Sequence, residues 1–104
     1  MRMLLQVSIP VEKGNELVRK GTLGSTIQQI LEDVKPEAAY FMEFDGKRTG
    51  VIIVDLATAA DIPRVAEPFF LALNARIEMH AVMSPQDLAM AGPAIGAAAA
   101  KFGQ

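Results

Sequence analysis

The run Ala38-Ala39-Tyr40-Phe41-Met42-Glu43-Phe44-Asp45-Gly46-Lys47-Arg48-Thr49-Gly50-Val51-Ile52-Ile53-Val54-Asp55-Leu56 reads as two strands folded back on each other. Ala38–Phe44 alternates, with Tyr40, Met42 and Phe44 on one side and Phe41 and Glu43 on the other. Asp45-Gly46 is a strong turn signal. The turn region spans Asp45–Arg48, and Thr49–Leu56 is the returning strand. Val51-Ile52-Ile53-Val54 is apolar on both faces, which suits a strand in the middle of a sheet.

Working towards the N-terminus, Met3–Ile9 is another strand, with Leu5, Val7 and Ile9 on one face and Gln6 and Ser8 on the other. Pro10 ends it by removing a ladder donor. Between this strand and the hairpin lies helical sequence with Gly21 and Gly24 in its middle. Asn15 is a candidate cap for the first part, and Glu16 and Lys20 form a favourable i,i+4 pair. Ile27, Ile30, Leu31 and Val34 share one stripe, and Lys35-Pro36 ends it. Two arrangements fit: a second helix capped by Ser25 or Thr26, or one long helix with a kink.

Beyond the hairpin, Asp61 is a candidate cap for a helix whose stripe is Val65, Phe69 and Leu73. Pro68 is expected to kink it, and Asn74 suits a left-handed end. Ala75–Met83 is the last strand. Ile77, Met79, Ala81 and Met83 face one way, and Arg76, Glu78, His80 and Val82 the other. Ser84-Pro85-Gln86-Asp87 has the pattern of a capped helix start, and Gly92-Pro93 interrupts that helix. The tail Ala94–Gln104 is alanine-rich and weakly specified, either helical or frayed.

The order strand, helix, hairpin, helix, strand is βαββαβ, the α+β ferredoxin-like sandwich, here followed by a C-terminal helix. Right-handed crossovers place the first and third strands in the centre and both helices on one face. The other face is left bare, carrying Ile53, Phe41 and either Ile77 or Val82. A second copy packed sheet against sheet would cover it, which makes a homodimer of the dimeric α/β-barrel type the expected assembly.

Several short stretches support that expectation. Met3-Leu4-Leu5, Ile9-Pro10, Leu31-Glu32 with Lys35-Pro36-Glu37, Tyr40-Phe41, Glu67-Pro68-Phe69-Phe70 and Met83-Ser84-Pro85-Gln86-Asp87-Leu88 span the chain up to about Gly92. In these and in element order the chain resembles a family of short uncharacterised bacterial proteins within the dimeric α/β-barrel superfamily. Some members of that family are named pantothenate synthetase. The ATP-using ligases of that name resemble nucleotidyl transferases with a His-x-Gly-His phosphate site, which a chain with a single histidine does not contain. The related barrels include cofactor-free monooxygenases, small lyases and isomerases, haem-dependent enzymes and proteins with no known activity. The resemblance therefore speaks to fold rather than chemistry.

Composition narrows the function classes. The 104 residues suffice for one domain, 1–104. Apolar residues make up 51%, with a mean hydropathy of +0.26, which leaves apolar surface for a partner. A net charge of −2 offers no basic excess for nucleic acid. There is no cysteine, so disulfides and thiolate chemistry are excluded and a structural zinc site is close to excluded. The six methionines are scattered and read as core filling. No cofactor motif or phosphate loop is present, and haem would need His80 as its axial ligand. No apolar run reaches the ~20 residues that span a membrane, and the chain reads as cytoplasmic.

If the helices cover Leu5, Val7, Ile9, Ile52, Val54 and Leu56, the opposite face gathers Gln6, Ser8, Phe41, Glu43 and Asp55, and the last strand adds Arg76, Glu78 and His80. Polar groups converging inside an apolar barrel suit a small organic ligand. In that reading Gln6, Ser8, Phe41, Arg76 and Glu78 bind the ligand. In a cofactor-independent monooxygenase, isomerase or lyase, His80 would shuttle protons while Glu43 or Asp55 orients it or acts as base. A regulatory ligand sensor is the third alternative. The plainer reading of Arg76, Glu78 and His80 is the wetted side of an edge strand, that of Asp55 a turn or cap, and that of Glu43 a surface partner for Lys47 or Arg48.

Overall fold

A computed structural model describes residues 1–104. In chain order the elements are β1 (Arg2–Ser8), α1 (Val11–Arg19), α2 (Leu23–Val34), β2 (Ala38–Phe44), β3 (Lys47–Asp55), α3 (Ile62–Leu73), β4 (Arg76–Ala81), α4 (Pro85–Met90) and α5 (Gly92–Phe102), with a short 3-10 turn at Ala59–Asp61. The strands form one sheet in the order β2-β3-β1-β4, and every neighbouring pair is antiparallel. This α+β arrangement, with β1 and β3 in the centre, is compatible with a ferredoxin-like fold.

The hairpin turn is tighter than the expected Asp45–Arg48, because β3 begins at Lys47 rather than Thr49. Phe44 pairs with Lys47, so only Asp45 and Gly46 lie between the strands. Asp45 stands at φ 54° and Gly46 at φ 74°. Two successive left-handed residues give the mirror-image turn whose twist matches the flanking strands. The Glu43 carboxylate accepts a 2.8 Å hydrogen bond from the Gly46 amide and ties the turn to the strand.

Alternation then builds the core. Met3, Leu5 and Val7 of β1 point to the same side as Ile52 and Val54 of β3. Leu17 of α1, Ile30 and Val34 of α2, and Val65, Phe69 and Leu73 of α3 close over them. Leu5, Ile52 and Val65 are fully buried, each contributing about 1.5–3 kcal/mol of apolar burial.

The helical stretch after β1 resolves into two helices. Gly21, at φ 71°, ends α1, and α2 restarts at once because Leu23 and Ile27 pack against the same core. The capping residues differ from those read in the sequence. Pro10 precedes α1, so Asn15 lies inside that helix, and Thr22 precedes α2 rather than Ser25 or Thr26. Asp61 does hold the N-cap position of α3, as read, but its carboxylate reaches back instead of into the helix, accepting from the amides of Ala57 (3.1 Å) and Thr58 (3.3 Å). Pro68 sits within α3, which runs on to Leu73 and ends at Asn74 with φ 51°. Ser84 and Asp87 cap α4 reciprocally: the Ser84 hydroxyl accepts from the Asp87 amide, and the Asp87 carboxylate from the Ser84 amide.

The alanine-rich tail is helical as α5, yet no residue of α4 or α5 is buried. The molecule measures 58 × 28 × 20 Å with a radius of gyration of 17.4 Å. A compact chain of this length would have about 13 Å, so these helices form an arm that projects from the body.

One expectation about the sheet faces is overturned. Phe41 pairs with Gly50, Glu43 with Arg48, and Ala39 with the buried Ile52. Phe41 and Glu43 therefore lie on the helix side. Ile77, paired with Val7, lies there too. Alternation within β2 was legible, but which set faces the helices depends on its register against β3. The uncovered face instead carries Leu4 of β1, Val51 and Ile53 of β3, and Tyr40, Met42 and Phe44 of β2.

Candidate functional site

The uncovered face has a polar end. Gln6 of β1 pairs with Glu78 of β4, and its amide nitrogen donates to the Glu78 carboxylate at 3.3 Å. The other Glu78 oxygen lies 3.4 Å from the Arg76 guanidinium. Ser8 pairs with Thr49, their hydroxyls 3.4 Å apart. Thr49 donates its proton to the Lys47 carbonyl at 3.1 Å, so Ser8 is the donor to Thr49. No buried side-chain polar atom is left without a partner. Gln6, Ser8, Arg76 and Glu78 are thus brought together, while Phe41 lies across the sheet from them.

The proposed acid–base residues do not converge. His80 is exposed on β4, opposite Leu4, and its side chain makes no hydrogen bond or ion pair to the rest of the chain. Glu43 holds the hairpin turn on the far edge strand and on the other side of the sheet. Asp55, at the end of β3, pairs with the N-terminal ammonium at 2.9 Å. That hydrogen bond and charge hold the Asp55 carboxyl below its ordinary range. Glu78, two residues along β4, is the carboxylate that shares the face and strand of His80.

A concave surface lies on the helix side, and sequence reading missed it. It is an open groove of about 680 Å³ between the first turns of α1 and α2 and the hairpin end of the sheet. Ile9, Val11, Leu23, Ile27 and Phe41 supply its apolar lining, and Asn15, Glu43, Lys47 and Arg48 its polar lining. The Ile9 amide donates to the Arg48 carbonyl at 2.9 Å, fixing the corner between β1 and β3. The Arg48 guanidinium donates to the Asn15 side-chain oxygen at 3.0 Å and has no carboxylate partner. Lys47 forms no ion pair.

Two glycines shape this groove. Gly14 is buried inside α1, where glycine costs about 1 kcal/mol relative to alanine. A Cβ there would stand 2.7 Å from Nη1 of Arg48, so the glycine is what lets the guanidinium lie against the helix. Gly50, inside β3, leaves room for the Phe41 ring, which a Cβ would meet at 3.2 Å. A glycine inside a regular element signals close approach, but the approaching residue is not visible in the sequence.

No group of three His, Asp or Glu side chains lies close enough to hold a metal ion. No helix is long and apolar enough to cross a membrane. No protein-family model matches the chain, and no curated protein matches it.

Proposed function

We propose that this chain works as a homodimer of the dimeric α/β-barrel type, with the two uncovered sheet faces packed together and a small organic ligand held beside Gln6, Ser8, Arg76 and Glu78. One observation carries this reading: Tyr40, Met42 and Phe44 stand 69%, 43% and 48% exposed on a face that also presents Leu4, Val51 and Ile53. The chain's own C-terminal arm does not roof that face, since none of its residues is buried. An exposed apolar patch of this kind on a sheet marks a contact surface, and a self-complementary face-to-face contact buries both copies at once.

The catalytic alternative, a cofactor-independent enzyme, rests on His80 being free of partners beside Glu78. An imidazole can both accept and donate a proton, which suits proton transfer once a partner sheet encloses it.

The test is mass in solution. Light scattering at micromolar concentration should report twice the 11.2 kDa chain, and Ile53→Asp should halve it while the circular dichroism stays that of the parent. A monomeric parent protein removes the reading.

A further inference from the structure

We propose that the groove between α1, α2 and the hairpin is a binding site for a small amphipathic carboxylate, its alkyl or aryl body on Ile9, Leu23, Ile27 and Phe41 and its anionic head on Arg48. This site is on the opposite side of the sheet from the dimer face and stands independently of it.

Gly14 lies in the middle of α1. A glycine in the middle of a short helix weakens it. Here its absent side chain makes room for the Arg48 guanidinium, which Asn15 then anchors at 3.0 Å. One nitrogen is engaged and the remaining donors have no carboxylate partner within the chain. A planar guanidinium held in place with donors to spare is what bidentate carboxylate recognition needs.

The charge of the lining agrees. Arg48 is the cation on this side of the sheet, and Glu43, the carboxylate paired across from it, is turned to the Gly46 amide. The volume of about 680 Å³ is in the range of small-molecule sites, and the floor is apolar. Phe41 is 56% exposed on the helix side of the sheet, where a ligand's apolar body would cover it. A neutral apolar ligand would leave the Arg48 guanidinium unpaired at its polar end, and a cationic one would meet it in repulsion.

The probe is octanoate, with the uncharged octanamide as its match, titrated calorimetrically into the full chain. Octanoate should bind saturably, and octanamide should bind about tenfold more weakly or worse, the loss of a charge-assisted pair. Arg48→Gln should cause a similar loss. Gly14→Ala is the sharper variant. Its new methyl displaces only the flexible end of Arg48, so the melting temperature should hold or rise while octanoate affinity falls several-fold. Ile53→Asp, on the other face, should leave octanoate binding unchanged. The proposal is overturned if octanoate does not saturate, if octanamide binds equally well, or if folded Gly14→Ala binds like the parent. Loss of octanoate binding in Ile53→Asp would place the site between the sheets and also overturn it.

Discussion

Leu4 and Leu5 are neighbours on the central strand β1 and point to opposite sides of the sheet, so truncating each to alanine interrogates one face at a time. Leu5 is fully buried, flanked by Ile52 on β3 and Met79 on β4. Its removal takes three carbons from a closed core, and such truncations cost about 2–5 kcal/mol. A domain of this length has a total stability of roughly 5–15 kcal/mol, so Leu5→Ala removes a large part of it. At about 4–8 °C per kcal/mol, the melting temperature should fall by at least 8 °C. Leu4 lies on the uncovered face between Ile53 and His80 and is only half-buried. In an isolated subunit its truncation should cost about 1 kcal/mol or less. In a dimer closed over that face the cost should grow with protein concentration, because association and folding are then linked. The assay is urea unfolding of both variants at two concentrations a hundredfold apart. If Leu4→Ala costs as much as Leu5→Ala in the dilute sample, the assignment of the two faces is wrong.

Two further outcomes follow from local geometry. Lys35 ends α2 in the left-handed conformation at φ 50°, which penalises a side chain, so Lys35→Gly should raise stability by about 0.5–1 kcal/mol in thermal unfolding, whereas Asn74→Gly at φ 51° should change little because Asn tolerates that region. Asp55 is held below its ordinary range by the N-terminal ammonium, so its contribution to stability is complete above the unfolded value near 3.8 and is lost as the pH falls through the lower folded value. The stability difference between the parent and Asp55→Asn should therefore be present at neutral pH and close in acid below pH 4; a difference that persists unchanged into strong acid would show that the ion pair is not its source.

Much of the architecture was legible in the chain. Alternation marked β2 and β4 and half of β1, and Asp45-Gly46 marked the hairpin turn, although the returning strand begins two residues earlier than read, at Lys47. Ser84 with Asp87 declared its capping box, and the doubly apolar Val51–Val54 declared a central strand. The helix starts were less legible. Asn15 and Ser25 have capping chemistry, but the chain enters α1 directly from Pro10 and α2 from Thr22, where the helices must begin to lay Leu17, Leu23 and Ile27 on the sheet. The candidate site was legible only in part. Gln6, Ser8, Arg76 and Glu78 lie together because they occupy alternate positions on two paired strands, whereas Phe41, read as part of the same group, lies on the other side of the sheet. Glu43, Asp55 and His80 were grouped by chemistry, and distance in the sheet separates them.

The sequence by itself determined the elements, their order and the polarity of each strand's two sides, because a strand's period of two and a turn's φ angles are properties of a few adjacent residues. Only the tertiary structure decided which side of β2 meets the helices, since that rests on its register with β3. It also decided that Arg48 crosses 33 positions of sequence to reach Asn15 beside Gly14. Contacts of that kind depend on how separate elements are packed in space, and no local pattern of residues encodes them.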